Sequence, residues 1–354
     1  MRLTKQCGLQ SSTNITKLGN VILFTRILMY GFPFLCNWPN DMISNKLKLF
    51  ILYICFSLLS GCSVVRWKID SDEDSLKAVG FTQAEISLEE GGSLSYWRGG
   101  KGQPLLLIHG FGGNAVTTWK DEMQALSADY DVIAPDLAWF GDSFSAGEAN
   151  LTTETEAIWQ LVNQLKLDNI NIASISYGGF ITLNMMNNSP DQTRQINKAI
   201  IIASPGPYFN DEDLDALTTR FAVDNPEDFF IPKNSKELRR LFDGIFVAPK
   251  MMPDFVADQI YQTYFAAWHK QRVEMIQSLP ADRDVLLDAP QSSIPTLLIW
   301  GEKDQIFPLE HGIYLSKKIQ APLVVIPDTG HGVTNEQPEV VVHLIKNFID
   351  NEKK

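Results

Sequence analysis

Asn171-Ile172-Ala173-Ser174-Ile175-Ser176-Tyr177-Gly178-Gly179-Phe180 is an apolar run that ends in small residues and passes straight into a helix-forming stretch. A strand that reverses this sharply into a helix needs small residues two positions either side of the apex. The strained turn then lifts the apex side chain to the edge of the sheet. Ser176 occupies that apex, the position of a nucleophile. Gly178 meets the steric demand on one side; on the other, Ser174 stands where a glycine is usual and adds a Cβ and a hydroxyl.

Outward from this segment, short β-branched runs alternate with longer amphipathic stretches, the pattern of a mostly parallel sheet covered on both faces. The runs 85–88, 94–98, 105–109, 131–135, 170–175, 199–203, 296–300 and 323–326 predict eight strands. The inner ones are continuously apolar, as strands buried on both sides should be. Helices are predicted between them, for example over 154–165 and 339–351. From 206 to 290 the alternation gives way to helical spacing. Leu238, Leu241, Phe242 and Ile245 share one face after a cap at Ser235, and Ile260, Tyr264 and Trp268 repeat the theme. Such an insertion over the C-terminal edge of the sheet, where open α/β sheets bind ligands, predicts a lid.

A serine hydroxyl is a weak nucleophile at neutral pH and needs a base that is itself oriented by a third group. Thr329-Gly330-His331-Gly332 follows the last strand and places an imidazole at the same sheet edge, while Gly301-Glu302-Lys303-Asp304 follows the strand ending at Trp300. His109 ends a strand and His269, His311 and His343 fall in predicted helices, so His331 is the expected base. Asp304 is the expected acid, with Glu302, nearer the strand, as its competitor. Gly110-Phe111-Gly112-Gly113 forms a flexible turn after the strand at 105–109. There the amides of Phe111 and Tyr177 can face an oxyanion, each such donor being worth roughly 3 kcal/mol.

These blocks, together with Asp136 to Ser143 (DLAWFGDS) and Ile299 to Pro308 (IWGEKDQIFP), resemble the esterase and lipase branch of the α/β-hydrolase superfamily, monoacylglycerol-lipase-like members in particular. The likeness spans residues 85 to 350 and keeps the family's order of Ser, Asp and His. It implies an α/β-hydrolase fold with a helical cap, Ser176 as nucleophile, Asp304 as acid, His331 as base, and Phe111 with Tyr177 as oxyanion donors. The implied substrate is a small-molecule or lipid ester, although the same triad serves thioesters and the carbon-carbon cleavage of oxo-dienoates. Serine at the apex argues against epoxide hydrolases and haloalkane dehalogenases, which carry Asp there. A binding module that keeps the fold without the chemistry is the remaining alternative. Nothing in these motifs calls for a cofactor or a metal.

The 354-residue chain carries a formal charge of −12, with 30 basic and 42 acidic residues. Six of the basic residues and one acidic residue precede Cys62, so the remainder carries 24 − 41 = −17. A body this acidic repels nucleic acid, and no cluster denser than Lys236 to Arg240 offers a phosphate-binding stripe. The four cysteines, Cys7, Cys36, Cys55 and Cys62, lie near the N-terminus without metal-ligand spacing. Lys46 and Lys48 precede an apolar run from Leu49 to Leu59, a secretory-signal layout. Leu59-Ser60-Gly61-Cys62 resembles the bacterial lipoprotein box. That resemblance implies lipid attachment at Cys62 and a membrane-anchored place in the cell envelope; an uncleaved membrane helix is the competing reading.

The expected plan is therefore a start-site artefact or disordered extension over 1–41, a lipoprotein-type signal over 42–61 and a linker over 62–84. A hydrolase core then covers 85–205 and 291–354, with the cap over 206–290.

Overall fold

The computed structural model describes residues 63–188, 195–249, 251–288 and 292–351. The signal segment and Cys62 lie outside the described residues. In chain order the elements are α1 (Val64–Ala78), β1 (Thr82–Ser87), β2 (Gly92–Gly100), β3 (Gln103–Ile108), α2 (Ala115–Leu126), β4 (Tyr130–Pro135), β5 (Phe144–Ser145), α3 (Leu151–Gln164), β6 (Ile170–Ile175), α4 (Tyr177–Asn187) and β7 (Ile196–Ile202). They continue with α5 (Asp211–Phe221), α6 (Pro226–Phe230), α7 (Ser235–Ile245), α8 (Asp254–Tyr264), α9 (His269–Asp288), β8 (Thr296–Gly301), α10 (Leu309–Ile319), β9 (Leu323–Ile326), α11 (Val333–Glu336) and α12 (Pro338–Asp350). Among these no helix is long and apolar enough to cross a membrane.

The strands form one sheet in the order β1-β2-β4-β3-β6-β7-β8-β9, antiparallel at β1, β2 and β4 and parallel from β4 through β9. All eight predicted strands are in this path. A ninth, the two-residue β5, pairs with the start of β2 and corrects the expected count. It is too short to leave a pattern of period two in the sequence.

Successive side chains on each inner strand feed opposite faces. Leu106 and Ile108 of β3 and Ile172 of β6 pack with Ile158 and Leu161 of α3 and Ile181 of α4. Leu105 and Leu107, with Ala173 and Ile175, pack with Trp119 and Met123 of α2 and Val341 and Ile345 of α12. That alternation is the physical reason the inner strands read as unbroken apolar runs. Each buried Leu or Ile contributes about 1.5–3 kcal/mol.

The sequence-based boundaries differ in two places. Residues 62–84, expected as a linker, contain α1, which Ser63 caps by accepting the Arg66 N–H at 3.0 Å, and β1 already starts at Thr82. Helix α7 is capped by Asn234, whose Oδ1 accepts the Lys236 and Glu237 N–H groups, rather than by Ser235. The segment between β7 and β8 is helical, as its spacing predicted, with α5 to α9 following one another. Its own apolar cluster joins Leu217, Phe229, Leu238, Leu241, Ala257 and Phe265 to Ile306 of the core.

Candidate active site

The direction of connection reverses between β3 and β6. From β3 the chain moves to β4 on one side, while β6 and its successors lie on the other. Open α/β sheets bind ligands in the crevice at this switch point, beyond the carboxyl ends of the strands. Phe111 follows β3 and Ser176 follows β6, and in-register pairing of Ile108 with Ser174 brings the two loops to one level.

Ser176 has φ 54° and ψ −121°, a conformation that costs a non-glycine residue on the order of 1–3 kcal/mol. Its N–H donates to Ile202 O at 2.9 Å and its carbonyl accepts the Gly179 N–H at 2.8 Å, which hold the turn. The turn also requires glycine beside it. A Cβ on Gly178 would lie 2.7 Å from the carbonyl oxygens of Ile108 and His109, and one on Gly110 would lie 2.9 Å from Ser176 Cβ. Ser174, the departure noted in the sequence, is accommodated by a polar partner. Its Oγ lies 2.8 Å from Thr182 Oγ1, with the carbonyls of Ile200 and Gly178 as further acceptors.

Asp304 and His331 come together through glycine contact. A Cβ on Gly301 would meet Gly330 O at 2.1 Å, so the loops after β8 and β9 touch only because position 301 has no side chain. His331 Nδ1 lies 2.8 Å from Asp304 Oδ2, and the carboxylate is fully buried. Its other oxygen accepts the N–H groups of Ile306 and Phe307 at 2.8 and 2.9 Å. With Asp304 ionised, Nδ1 carries the proton and Nε2 is left as the basic nitrogen. Glu302 is exposed and accepts the Asp328 N–H, so the competing carboxylate does not meet the imidazole. No hydrogen bond joins Ser176 Oγ to His331 among the described residues. Strands β6 and β8 are separated by β7, so the loop after β8 leaves the sheet about 10 Å from the serine; the loop after β9 carries His331 and reaches back toward α2, where Asn335 donates to Thr117 O at 2.9 Å.

Tyr177 is the first residue of α4, so its N–H has no partner within the helix and sits at the positive end of the helix dipole. Phe111 is held edge-on by the rings of Phe140, Tyr177 and Phe230 at 5.1, 6.0 and 6.2 Å. The Phe265 ring lies over Gly112. Both ring nitrogens of His109 are engaged by the backbone. Its Nδ1–H donates to Gly110 O at 2.7 Å, Nε2 accepts the Leu137 N–H at 2.9 Å, and burial lowers its pKa to about 4. Asp136 accepts the Ala115 and Asp142 N–H groups, and burial pushes it up to about 7.

Two supporting residues escaped the sequence reading. Arg272 of α9 is buried, donates twice to Trp139 O at 2.9 and 2.7 Å and lies 4.5 Å over the Phe140 ring, tying the cap to the DLAWFGDS segment. Glu336 accepts the Gly330 and Val247 N–H groups at 2.6 and 2.8 Å, tying the His331 loop to the end of α7. Glu336 follows the His motif closely enough to have been suspected; the partner of Arg272 leaves no local signal.

A cavity of about 210 Å³ lies between α5 and the loop after β8, lined by Phe209, Leu217, Ile306, Phe307 and His311. Phe307 also faces the His331 ring at 5.7 Å. A larger open depression of about 460 Å³ sits beside Arg98 and Asp131, at the opposite edge of the sheet and away from this chemistry.

A family model described as alpha/beta hydrolase fold matches residues 103–336. Lipase 1 of Psychrobacter immobilis is 27% identical over 261 residues, covering 70% of this chain and 77% of that protein. The 2-hydroxymuconate semialdehyde hydrolase of Pseudomonas sp. (strain CF600) is 28% identical over 268 residues, covering 71% and 88%. Among solved structures, a thermophilic esterase from Thermogutta terrifontis superposes with a TM-score of 0.61 at 25% identity, covering 76% of this chain and 98% of that one.

Proposed function

The chain belongs to the alpha/beta hydrolase fold family, and from that premise we propose that it is a serine hydrolase cleaving carboxylic esters through an acyl-enzyme on Ser176. The observation that carries the reading is the buried 2.8 Å contact between His331 Nδ1 and Asp304 Oδ2, at the same sheet edge as the strained Ser176 turn. His331 Nε2 takes the hydroxyl proton as Ser176 Oγ attacks the ester carbonyl, and Asp304 holds the tautomer. The amides of Phe111 and Tyr177 accommodate the oxyanion. His331 then returns the proton to the leaving alcohol and activates the water that releases the acid.

Lipases and esterases among the relatives support an ester substrate, and the aromatic cap supports an apolar acyl chain, short lipid esters such as monoacylglycerols included. The 2-hydroxymuconate semialdehyde hydrolase relative favours a second reading, cleavage of a carbon-carbon bond in an oxo-dienoate with the same residues. Lipid attachment at Cys62 and a place at the cell envelope complete the proposal.

Fluorophosphonate labelling tests the chemistry. An adduct on Ser176 is expected, and unlabelled folded protein would point to a binding module instead. Turnover on p-nitrophenyl esters, monoacylglycerols and an oxo-dienoate separates the two substrate readings. Ser176→Ala is expected to lower ester turnover by about 10⁶, and retention of ordinary activity would contradict the assignment.

A further inference from the structure

Arg272 of α9 is 3% exposed, and burial lowers its pKa only to about 10, so a cation lies inside the protein at neutral pH. Its hydrogen-bond partners among the described residues are two backbone carbonyls. Nε and Nη2 both donate to Trp139 O, and Nη1 donates to Tyr264 O at 2.5 Å. A planar fork that gives two N–H groups to one oxygen fixes the direction of that carbonyl as well as its distance, which a flexible ammonium does not.

Each carbonyl leads to the same turn. Trp139 stands at φ 63°, a conformation that a bulky residue keeps only where its surroundings over-determine it. The guanidinium that binds its carbonyl also lies over the Phe140 ring, which meets the rings of His109 and Phe111 nearly perpendicularly at 5.6 and 5.1 Å. Leu137, in the same segment, donates to His109 Nε2. The second carbonyl belongs to Tyr264, directly before Phe265, and a Cβ on Gly112 would lie 3.3 Å from the Phe265 ring. Groups held by Arg272 thus touch the segment from His109 to Gly112 at three of its four residues.

Phe111 depends on such support. Gly110 and Gly112 flank it, the latter at φ 85°, and the Phe111 N–H has no acceptor among the described residues. A backbone this free takes its direction from the packing of the ring it carries, and Phe140 is the nearest of the three aromatic rings against Phe111. We propose that Arg272 is a positioning residue for the oxyanion turn: from the cap it fixes Trp139 O, the Phe140 ring and Tyr264 O, and through them the direction of the Phe111 N–H. This rests on the ester-hydrolase reading above, in which that N–H faces the oxyanion.

The test uses the full chain with Arg272→Met, which keeps the length of the side chain and removes the fork, and Arg272→Lys, which keeps the cation. On a p-nitrophenyl ester, Arg272→Met should lower kcat roughly 30-fold with KM little changed, short of the 10²–10³ that outright removal of a donor costs; Arg272→Lys should recover part of the loss. The corresponding thiono ester develops its charge on sulfur, a weak acceptor, so its turnover should fall less and the ratio of ester to thiono ester turnover should drop. Leu76→Ala, at a fully buried position in α1, controls for lost stability and should keep both the wild-type kcat and the wild-type ratio. In protein labelled with ¹⁵N-phenylalanine, the Phe111 amide resonance should shift in both Arg272 variants. An unshifted Phe111 amide, wild-type kcat in the folded Arg272 variants, or equal losses on the two esters overturns the positioning role, and Arg272→Lys decides if Arg272→Met does not fold. A shifted Phe111 amide in variants of a wild-type protein that cleaves neither ester overturns the hydrolase reading and leaves the hold of Arg272 on the turn standing.

Discussion

Glu336 accepts the Gly330 N–H at 2.6 Å and so fixes the residue directly before the imidazole of His331. Its second oxygen takes the Val247 N–H at 2.8 Å, while Gly332, on the other side of His331, donates to Ile245 O at 3.1 Å. The loop carrying His331 is thereby held to the end of a cap helix on both flanks. The position of His331 depends on the cap as well as on Asp304.

Glu336→Ala leaves two backbone donors without their carboxylate. Hydrogen bonds to a charged acceptor contribute about 1.5–3 kcal/mol, and Glu336 is only half-buried, so the lower end is expected. Thermal unfolding should show a fall of several degrees, at roughly 2–4 °C per kcal/mol for a domain of this size. Ester kcat should fall about tenfold with KM little changed, because the base is misplaced and the substrate pocket is not. A variant matching wild type in both melting temperature and kcat would show that the loop is held by other contacts.

Two buried groups give opposite pH dependences of stability. Burial lowers His109 from 6.5 to about 4, so the unfolded chain takes that proton first. The stability tied to neutral His109 is present above about 6.5 and is lost as pH falls toward about 4, by up to about 3 kcal/mol. Asp136, raised from 3.8 to about 7, behaves in reverse. The folded state keeps its proton longer, so stability falls as pH rises from about 4 to about 7. His109→Gln supplies an amide able to donate to Gly110 O and accept from Leu137 N–H, but removes the titration. Urea unfolding between about pH 7 and pH 4.5 should show the variant gaining on wild type as pH drops, by about 2–3 kcal/mol. A constant difference across that range would contradict the assigned cause.

What the sequence made legible follows from how local each determinant is. The inner strands are covered on both faces, so Leu105 to Ile108 and Ile170 to Ile175 read as strands from their apolar runs alone. The serine turn was legible because Gly178 must clear two carbonyl oxygens. Helix α1 was not, since its acidic stretch from Asp70 to Asp74 resembles a solvated linker and its docking rests on a few side chains such as Val65 and Leu76. The pairing of Arg272 with Trp139 O was equally invisible, because it joins elements far apart in the chain. The choice between Glu302 and Asp304 stayed open in the sequence for a subtler reason. Only the loop geometry shows that the nearer carboxylate points into solvent and accepts the Asp328 N–H.

Gly301→Ala tests whether contact between the two loops assembles Asp304 and His331. The added Cβ would lie 2.1 Å from Gly330 O and 2.5 Å from Thr329 O, both backbone atoms that cannot swing aside. Overpacking of this kind costs about 1–3 kcal/mol or more. Relief by separating the loops would also lengthen the 2.8 Å acid-imidazole contact. The variant should therefore lose fluorophosphonate reactivity even under conditions where circular dichroism shows it folded. Full labelling by a folded variant would mean that the loops converge without the glycine.

Asp304→Asn discriminates between the two carboxylates by tautomer. Asp304 Oδ1 is committed to the N–H groups of Ile306 and Phe307, so an asparagine would keep its carbonyl oxygen there and turn its NH₂ toward His331 Nδ1. Nδ1 must then accept, which moves the ring proton to Nε2, the nitrogen that has to take the Ser176 proton. Turnover is expected to fall by about 10⁴ without loss of fold. Glu302→Gln changes an exposed side chain whose hydrogen bond among the described residues is to the Asp328 N–H, and its activity should stay within about twofold of wild type. Ester turnover and thermal unfolding of both variants, measured side by side, decide the assignment. Loss of activity in Glu302→Gln with activity kept in Asp304→Asn would transfer the role of acid to residue 302.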